Sequence, residues 1–295
     1  MARARAGWHL AAIAVATLTT AAAPPPRRAT RRPTTPASPT SSGFAVAVLG
    51  WGDRPVERLD PTASPPAKET WRRLQEGDKV RTGDSVRTAP DGVARIDFPW
   101  MAVTLGPSTV LSIPPRVVLS TVLQRGRAEF AGEGRDIVKI EVGEAEIRGG
   151  GRLVVRREGR RTVASAMEGA FRVAARGGTI EMRGGEGTAV TDGEPPQSPS
   201  PLPAAPRGLL PGEDPRYVPS GKPVELRWER SAPAYHVEVL GLQGDGVLLA
   251  RDTSGPPLRI DIPWLGIYRW RVFALDATGM ESRPSPDGYV CVVEK

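Results

Sequence analysis

Apolar and polar residues alternate over short stretches of this chain, and this pattern predicts β-strands. The clearest stretch covers residues 268–274. Its alternate positions are apolar: Tyr268, Trp270, Val272 and Ala274. Successive side chains of a strand point to opposite faces of the sheet, so these residues are predicted to form a buried face. Arg269 and Arg271 lie between them and are predicted to face water.

The same alternation recurs along the first two thirds of the chain. Residues 94–98 and 101–105 read as the two strands of a hairpin. Further strands are predicted at 117–123, 126–130, 137–142, 146–156, 162–167, 170–175 and 179–183. Residues 69–75 are compatible with either a helix or an extended segment. With 33 Gly, 31 Pro and 5% aromatic residues, the composition favours short strands and turns, so the predicted fold class is all-β.

The first 42 residues differ in composition from the rest. Arg3 and Arg5 precede an apolar run at 10–18 and small residues at 19–23, which is the order of a secretory signal peptide, assigned to residues 1–23. Residues 24–42 are rich in Pro, Thr and Arg and are predicted to be a disordered tail. We therefore expect a periplasmic or otherwise exported protein, soluble after signal cleavage. An uncleaved signal serving as a membrane anchor is the alternative.

A second proline-rich stretch marks a domain boundary. Residues 191–207 contain Pro195-Pro196 and a Ser-Pro repeat, which favour an extended, semi-rigid linker. The chain is thus divided into a domain at 43–190 and a domain at 208–295. Because so few apolar residues lie between them, the two are expected to fold independently.

The net charge of +7 is concentrated near the amino terminus. Two arginines lie in the signal peptide and four in the 24–42 tail, so the rest of the chain is close to neutral. A basic groove for nucleic acid is therefore not expected. The tail is either a solvated spacer or makes a weak electrostatic contact with a membrane or an anionic polymer.

The residue types that usually carry catalysis are scarce. His236 is the one histidine after the signal peptide, and its strand position predicts exposure. Cys291 is read as a small buried hydrophobic residue. One histidine and one distant cysteine cannot form a Cys/His metal site, and the glycine run 149–151 is read as a tight turn instead of a phosphate loop. We predict no catalytic residues, no metal and no cofactor.

One aromatic residue is a candidate for partner binding. Trp100 follows Pro99 in the turn between the two hairpin strands, where an exposed ring could stack on a sugar or anchor a partner protein. Packing at the edge of the core is the alternative.

The order of motifs in the first domain resembles the FecR domain, found in periplasmic signalling regulators and other exported bacterial proteins. The residues that carry the resemblance are 77–83 (Gly-Asp-Lys-Val-Arg-Thr-Gly), 86–88, 103–111, 123–128, 168–173 and 185–188. The resemblance covers roughly residues 44–190. It implies a β-sandwich or roll.

The second domain resembles a fibronectin type III module. The resemblance lies in the Tyr-Arg-Trp-Arg-Val strand at 268–272 with its Asp276 to Gly279 turn, and in the strands around Trp228 and Tyr235. It implies an immunoglobulin-like β-sandwich. Such a module serves as a binding domain or as a spacer between domains, and is not usually an enzyme.

Together these observations predict a non-enzymatic envelope protein, an adaptor or scaffold that binds an envelope protein or cell-wall polymer. The alternative is an envelope signalling component that senses a partner through the FecR-like domain. A glycan hydrolase is a third hypothesis, because such enzymes use a pair of carboxylates and carboxylates are abundant in this chain. The sequence does not identify a particular pair.

Overall fold

The computed structural model describes residues 44–47, 55–59, 71–115, 120–132, 138–242 and 246–295. All regular structure in these ranges is β, with 22 strands and no helix, so the all-β prediction is confirmed. The described residues all belong to one compact unit. The signal peptide and the 24–42 tail lie outside the described residues.

Fifteen of the described strands form one hydrogen-bonded sheet in the first domain. Their bounds are β1 (Phe44–Ala47), β2 (Val56–Leu59), β3 (Trp71–Arg73), β4 (Lys79–Val80), β5 (Ser85–Thr88), β6 (Ala94–Asp97), β7 (Met101–Leu105), β8 (Val110–Ser112), β9 (Ser120–Gly132), β10 (Val138–Val142), β11 (Ala145–Glu158), β12 (Arg161–Ala175), β13 (Gly178–Arg183), β14 (Glu186–Thr191) and β15 (Ser200–Pro201).

Three long strands, β9, β11 and β12, fold this sheet into two layers because each changes partners half-way along. β9 pairs first with β8 and β10 and then with β7 and β11. β12 pairs with β14 along its first half and with β13 along its second. The prediction of separate strands at 126–130, 162–167 and 170–175 is therefore wrong: the last two are halves of β12, and 126–130 lies within β9.

Glycines lie where the long strands bend. Gly169 in β12 has a φ of +85°, and a Cβ there would overlap the carbonyl oxygen of Gly150 in β11. Gly126 in β9 has a φ of +91° and lies against Thr109 with no room for a Cβ. Only glycine accommodates both the left-handed backbone and the close approach. The run 149–151, predicted as a turn, instead lies inside β11 at this bend.

The two layers enclose the first hydrophobic core. The predicted hairpin is present as β6 and β7, and its apolar positions, including Ile96, Val103 and Leu105, are fully buried. Phe130 in β9 and Leu153 in β11 fill the centre. Residues between these core positions point outward, and in the second half of β9 and β11 several of them are charged.

The second domain is a β-sandwich of seven described strands: β16 (Arg216–Pro219), β17 (Val224–Leu226), β18 (Ala234–Gly241), β19 (Val247–Thr253), β20 (Leu258–Ile260), β21 (Gly266–Leu275) and β22 (Gly288–Val293). Five form a sheet in the order β16-β22-β21-β18-β19, and β17 pairs with β20. The predicted inward face of β21 is confirmed, since Trp270 and Val272 are 1% and 0% exposed. Trp270 Nε1 donates a hydrogen bond to the Pro211 carbonyl at 3.0 Å.

The segment predicted as an extended linker runs along the first domain. The backbone of Gln197 donates to the Ala189 carbonyl at 3.0 Å, and that of Leu202 donates to Gly185 at 2.9 Å. Ser200 lies opposite Gly187 as part of β15. Part of the outward face of the five-stranded sheet lies against the first domain, so the prolines of this segment do not hold the two domains apart.

Candidate functional site: the interface between the two domains

A cluster of charged side chains lies between the outward faces of the two domains. We call it the interface network; it comprises Arg127, Glu129, Arg152, Arg156, His236, Glu238, Asp252, Arg271 and Glu281. The strands explain their position: Arg127 alternates with the core residues Ala128 and Phe130 of β9, so its side chain leaves the first core on the outer side.

Glu281 is the centre of the interface network and is completely buried. Its carboxylate accepts a hydrogen bond from Arg127 Nη2 at 2.6 Å and another from Arg156 Nε at 2.9 Å. Its backbone amide donates to Ser165 Oγ in β12 at 3.0 Å. One residue of the second domain is thus held by three strands of the first.

Glu238, in β18, is the second buried carboxylate. It accepts from Arg271 Nη2 in the neighbouring strand at 2.7 Å and lies 3.2 Å from Arg127 Nη1 of the first domain. Arg271 was predicted to face water, but its side chain is only 13% exposed. The prediction is wrong because strand alternation identifies the outward face but not what covers it. Arg269 lies on the same face, and its Nη1 is 3.1 Å from Asp287 Oδ2.

His236 is fully buried between two carboxylates, so the prediction of an exposed histidine is wrong. Its Nδ1 lies 2.6 Å from Asp252 Oδ1, and its Nε2 lies 3.3 Å from Glu238 Oε1. Asp252 also accepts from Arg156 Nη1 at 2.9 Å. The Asp252 carboxylate is half exposed, so the interface network reaches the surface there.

The protonation states follow from these contacts. Burial raises the pKa of Glu281, but the charges of Arg127 and Arg156 outweigh it and hold that pKa at about 2. The pKa of Glu238 lies well below its usual range, because Arg271 and Arg127 likewise outweigh the effect of burial. These carboxylates are therefore ionised at neutral pH.

The pKa of His236 is raised, although burial and the nearby Arg127 both lower it. The charge of Asp252 and the hydrogen bonds to Asp252 and Glu238 outweigh them. The pKa of Asp252 is lowered in return, since His236 and Arg156 overcome its desolvation. The raised pKa favours the charged imidazole, whose two carboxylate partners both belong to the second domain.

Two small apolar clusters flank the interface network. In one, Val93 of the first domain packs against Leu240, Val247 and Ala250. The other comprises Val163, Ala189, Met280 and Leu202. The linker residue Leu202 therefore contributes to the domain interface.

A group of apolar side chains on the five-stranded sheet remains exposed beside this interface. We call it the exposed apolar row; it comprises Tyr217, Leu265, Ile267 and Cys291. Tyr217 and Ile267 lie on either side of Cys291 in register, and Leu265 precedes β21 by one residue. Tyr217, Leu265 and Ile267 are 70%, 50% and 40% exposed. Cys291 is half-buried and belongs to this outward face, not to the core as predicted.

Trp100 lies at the β6–β7 turn and belongs to the first core, not to the interface network. It is partly buried, and its ring centre is 5.9 Å from that of Phe98. Whether it contacts a partner stays a prediction.

Within the described ranges, no helix is long and apolar enough to cross a membrane. Among the same residues, no group of three or more His, Cys, Asp or Glu side chains is arranged to hold a metal ion. The chemistry available at the interface is ion pairing, and sequence reasoning missed it because its members are far apart in the chain.

No protein-family model and no curated protein matches the chain. Among solved structures, it is similar to a "putative anti-sigma factor" from Parabacteroides distasonis, with 16% identity over 40% of this chain and 59% of that one and a TM-score of 0.34. It is also similar to a fragment of titin, with 14% identity over 83% of this chain and 91% of that one and a TM-score of 0.25. The chain thus spans less than two thirds of the anti-sigma factor structure, and at these TM-scores neither likeness assigns a family or a function.

Proposed function

We propose that this protein is a non-enzymatic, exported component of the bacterial envelope that acts as an adaptor for an envelope protein or cell-wall polymer. The observation that carries the proposal is the exposed apolar row. Large apolar side chains that adjoin one another on a surface mark interaction sites more often than isolated ones do. The row continues a sheet face whose other part is already covered by the first domain.

The interface network supports an adaptor by fixing the two domains to each other. Arg127, Arg156 and Ser165 of the first domain all contact Glu281 of the second. A partner bound to the exposed apolar row would therefore be held in a defined orientation relative to the first domain.

The environment of His236 supports a non-enzymatic role. Histidine is the commonest general base, and a general base must reach the proton it removes. His236 is fully buried, and both ring nitrogens are engaged by carboxylates. Its contacts hold the carboxylates of Asp252 and Glu238 in place within the interface network.

A role in envelope signalling is the second candidate. The resemblance to the FecR domain suggests it, and the interface network supplies a path by which a contact on one domain affects the other. A sigma factor and an outer-membrane receptor encoded beside this gene would favour signalling over a passive adaptor.

The experiment that tests the proposal compares two leucines. Leu265→Ser changes the exposed apolar row, whereas Leu210→Ser changes a leucine that is 63% exposed and outside it. We expect Leu265→Ser to reduce retention of the main envelope partner in a pull-down with the mature chain, and Leu210→Ser to leave it unchanged. If both variants retained the partner equally, and circular dichroism showed that both were folded, the exposed apolar row would not be the binding surface.

A further inference from the structure

A cleft opens between the two domains beside the turn of the β11–β12 hairpin, with a cavity volume of about 590 Å³. Its walls come from β11 and β12 of the first domain and from β18, β19, β21 and the turn after β21 of the second. Clefts of this volume between domains, with an apolar lining and a few polar groups, are the usual form of small-molecule sites.

The register of the hairpin directs its side chains into this cleft. Val163 lies opposite Arg156, and Arg161 lies opposite Glu158. Residues opposite each other in a hairpin, and residues two apart in a strand, point to the same face of the sheet. Arg156 binds Glu281 of the second domain, so all four side chains lie on the face toward that domain.

The register of the five-stranded sheet directs further side chains toward the hairpin. Asp252 lies opposite His236 in the neighbouring strand. Ala234 precedes His236 by two residues and lies opposite Leu275. Because Asp252 binds Arg156, this face is the one toward the first domain. Ala234 and Leu275 share that face and form an apolar part of the wall.

Charged groups of both signs border the apolar part of the cleft. Arg161 donates a hydrogen bond to the Thr278 carbonyl at 3.2 Å, and a guanidinium has four other N–H donors. Glu158 is exposed and has no ion-pair partner among the described residues. The Asp252 carboxylate, although bound within the interface network, is 51% exposed. The cleft thus presents one guanidinium and two carboxylates beside an apolar surface.

We propose that this cleft binds a small zwitterion, a free amino acid or a dipeptide with an apolar side chain. The carboxylate of the ligand accepts hydrogen bonds from Arg161, and its ammonium group donates to Glu158 and Asp252. Its side chain packs against Val163 and Leu275. Hydrogen bonds between charged groups are the stronger kind, and burial of the apolar side chain adds to them.

A ligand with a charge of one sign would leave either the guanidinium or the carboxylates of the cleft without a partner. The proposal goes beyond the adaptor function and uses a different surface from the exposed apolar row.

The test is calorimetric titration of the full mature chain at low salt with leucine and with leucyl-leucine. We expect saturable binding of at least one of them, and the one that binds more tightly gives the length of the ligand. The amide of that compound lacks the carboxylate charge, and its N-acetyl form lacks the ammonium charge. Each should bind about tenfold or more weakly than the zwitterion, because each loses a charged hydrogen bond.

Three single variants locate the two charged groups of the ligand. Arg161→Gln should weaken binding of the zwitterion by about tenfold and leave binding of the amide unchanged. Glu158→Gln should also weaken binding of the zwitterion, but leave binding of the N-acetyl form unchanged. Arg172→Gln removes a charge from an exposed position of β12 outside the cleft and should have little effect on any of these compounds.

Absence of binding by both leucine and leucyl-leucine would overturn the proposal. Equal binding of the zwitterion, its amide and its N-acetyl form would also overturn it, as would equal weakening by all three variants. None of these results would bear on partner retention by the exposed apolar row, which Leu265→Ser measures separately.

Discussion

At the scale of single residues, Glu281 shows how much a buried charge depends on its partners. Its carboxylate has no exposure and is balanced by Arg127 and Arg156. A complete buried ion pair contributes little net stability, but removal of one partner leaves an uncompensated charge.

Glu281→Ala should therefore lower the free energy of unfolding by about 3–5 kcal/mol. Glu181→Ala, at an exposed position of β13, should change it by about 0.5 kcal/mol or less. Urea melts of both variants give the comparison. Equal small losses would mean that water compensates the two arginines and that the interface is open in solution.

Two adjacent residues of β21 test the two faces of that strand. Trp270→Ala should cost about 3–5 kcal/mol, because it empties the centre of the second core. From the sequence, Arg271 was expected to tolerate alanine. The structure pairs it with buried Glu238, so we now expect a loss of about 1–3 kcal/mol in urea melts, as for other charged hydrogen bonds. A negligible loss for Arg271→Ala would contradict its burial.

The raised pKa of His236 predicts a dependence of stability on pH. Its stabilising effect is full below the unfolded value of about 6.5 and is lost as the pH rises through the raised folded value. The lowered pKa values of Glu238, Asp252 and Glu281 act in the opposite sense, since their contribution is lost as the pH falls below about 4.

Stability should therefore be highest in mildly acidic solution and decline toward pH 9. His236→Gln should remove most of the decline above about pH 6.5, as measured by urea melts at pH 5.5, 7 and 8.5. An unchanged slope would show that the imidazole is neutral in the folded protein and that Asp252 is balanced by Arg156 alone.

At the scale of elements, the turn after β21 positions the residues that enter the interface. Asp276 Oδ1 accepts hydrogen bonds from the backbone of Thr278 at 2.8 Å and of Met280 at 2.9 Å. Met280 and Glu281 follow directly and contact the first domain. A short polar turn thus aligns both an apolar and an ionic contact.

Asp276→Ala should lower stability by about 1–2 kcal/mol in urea melts, because it removes the acceptor of these two hydrogen bonds and of a third, from Thr278 Oγ1, at a partly exposed site. Asp276→Asn keeps an acceptor oxygen and should recover most of this loss. If the two variants were equally destabilised, the negative charge would matter more than the hydrogen bonds.

The sequence predicted the elements well where the two-residue alternation of apolar and polar positions was the only information needed. The β6–β7 hairpin and the inward face of β21 follow from alternation alone. The long strands β9 and β12 were divided in two because glycine usually ends a strand, whereas here Gly126 and Gly169 bend one. No local pattern distinguishes these two roles of glycine, since the difference lies in the neighbouring strand.

At the scale of the whole molecule, the sequence could not predict the interface network. Its members span residues 127–281, and each reads as an ordinary outward charge on its own strand. Only the docking of the two domains shows that these charges are buried. The proline-rich composition of 191–207 pointed instead to separation of the domains.

The interface predicts that the two domains unfold together. Scanning calorimetry of the mature chain should give one transition, although the sequence alone favours two. Glu281→Ala should lower that transition or split it, because the domains then lose their central contact. Two transitions in the unchanged protein, at the temperatures of the separately expressed domains, would show that the contacts do not couple them.

The long hairpin formed by β11 and β12 also bears on the order in which the molecule assembles. Its strands are joined by two residues, Gly159 and Arg160, so they can pair at a small cost in loop-closure entropy. We expect pulse-labelled hydrogen exchange during refolding to show protection of 153–166 before that of β18 and β21. Arg156 and Ser165 would then be in place early, and residues 208–295 would complete their fold on a surface that already exists.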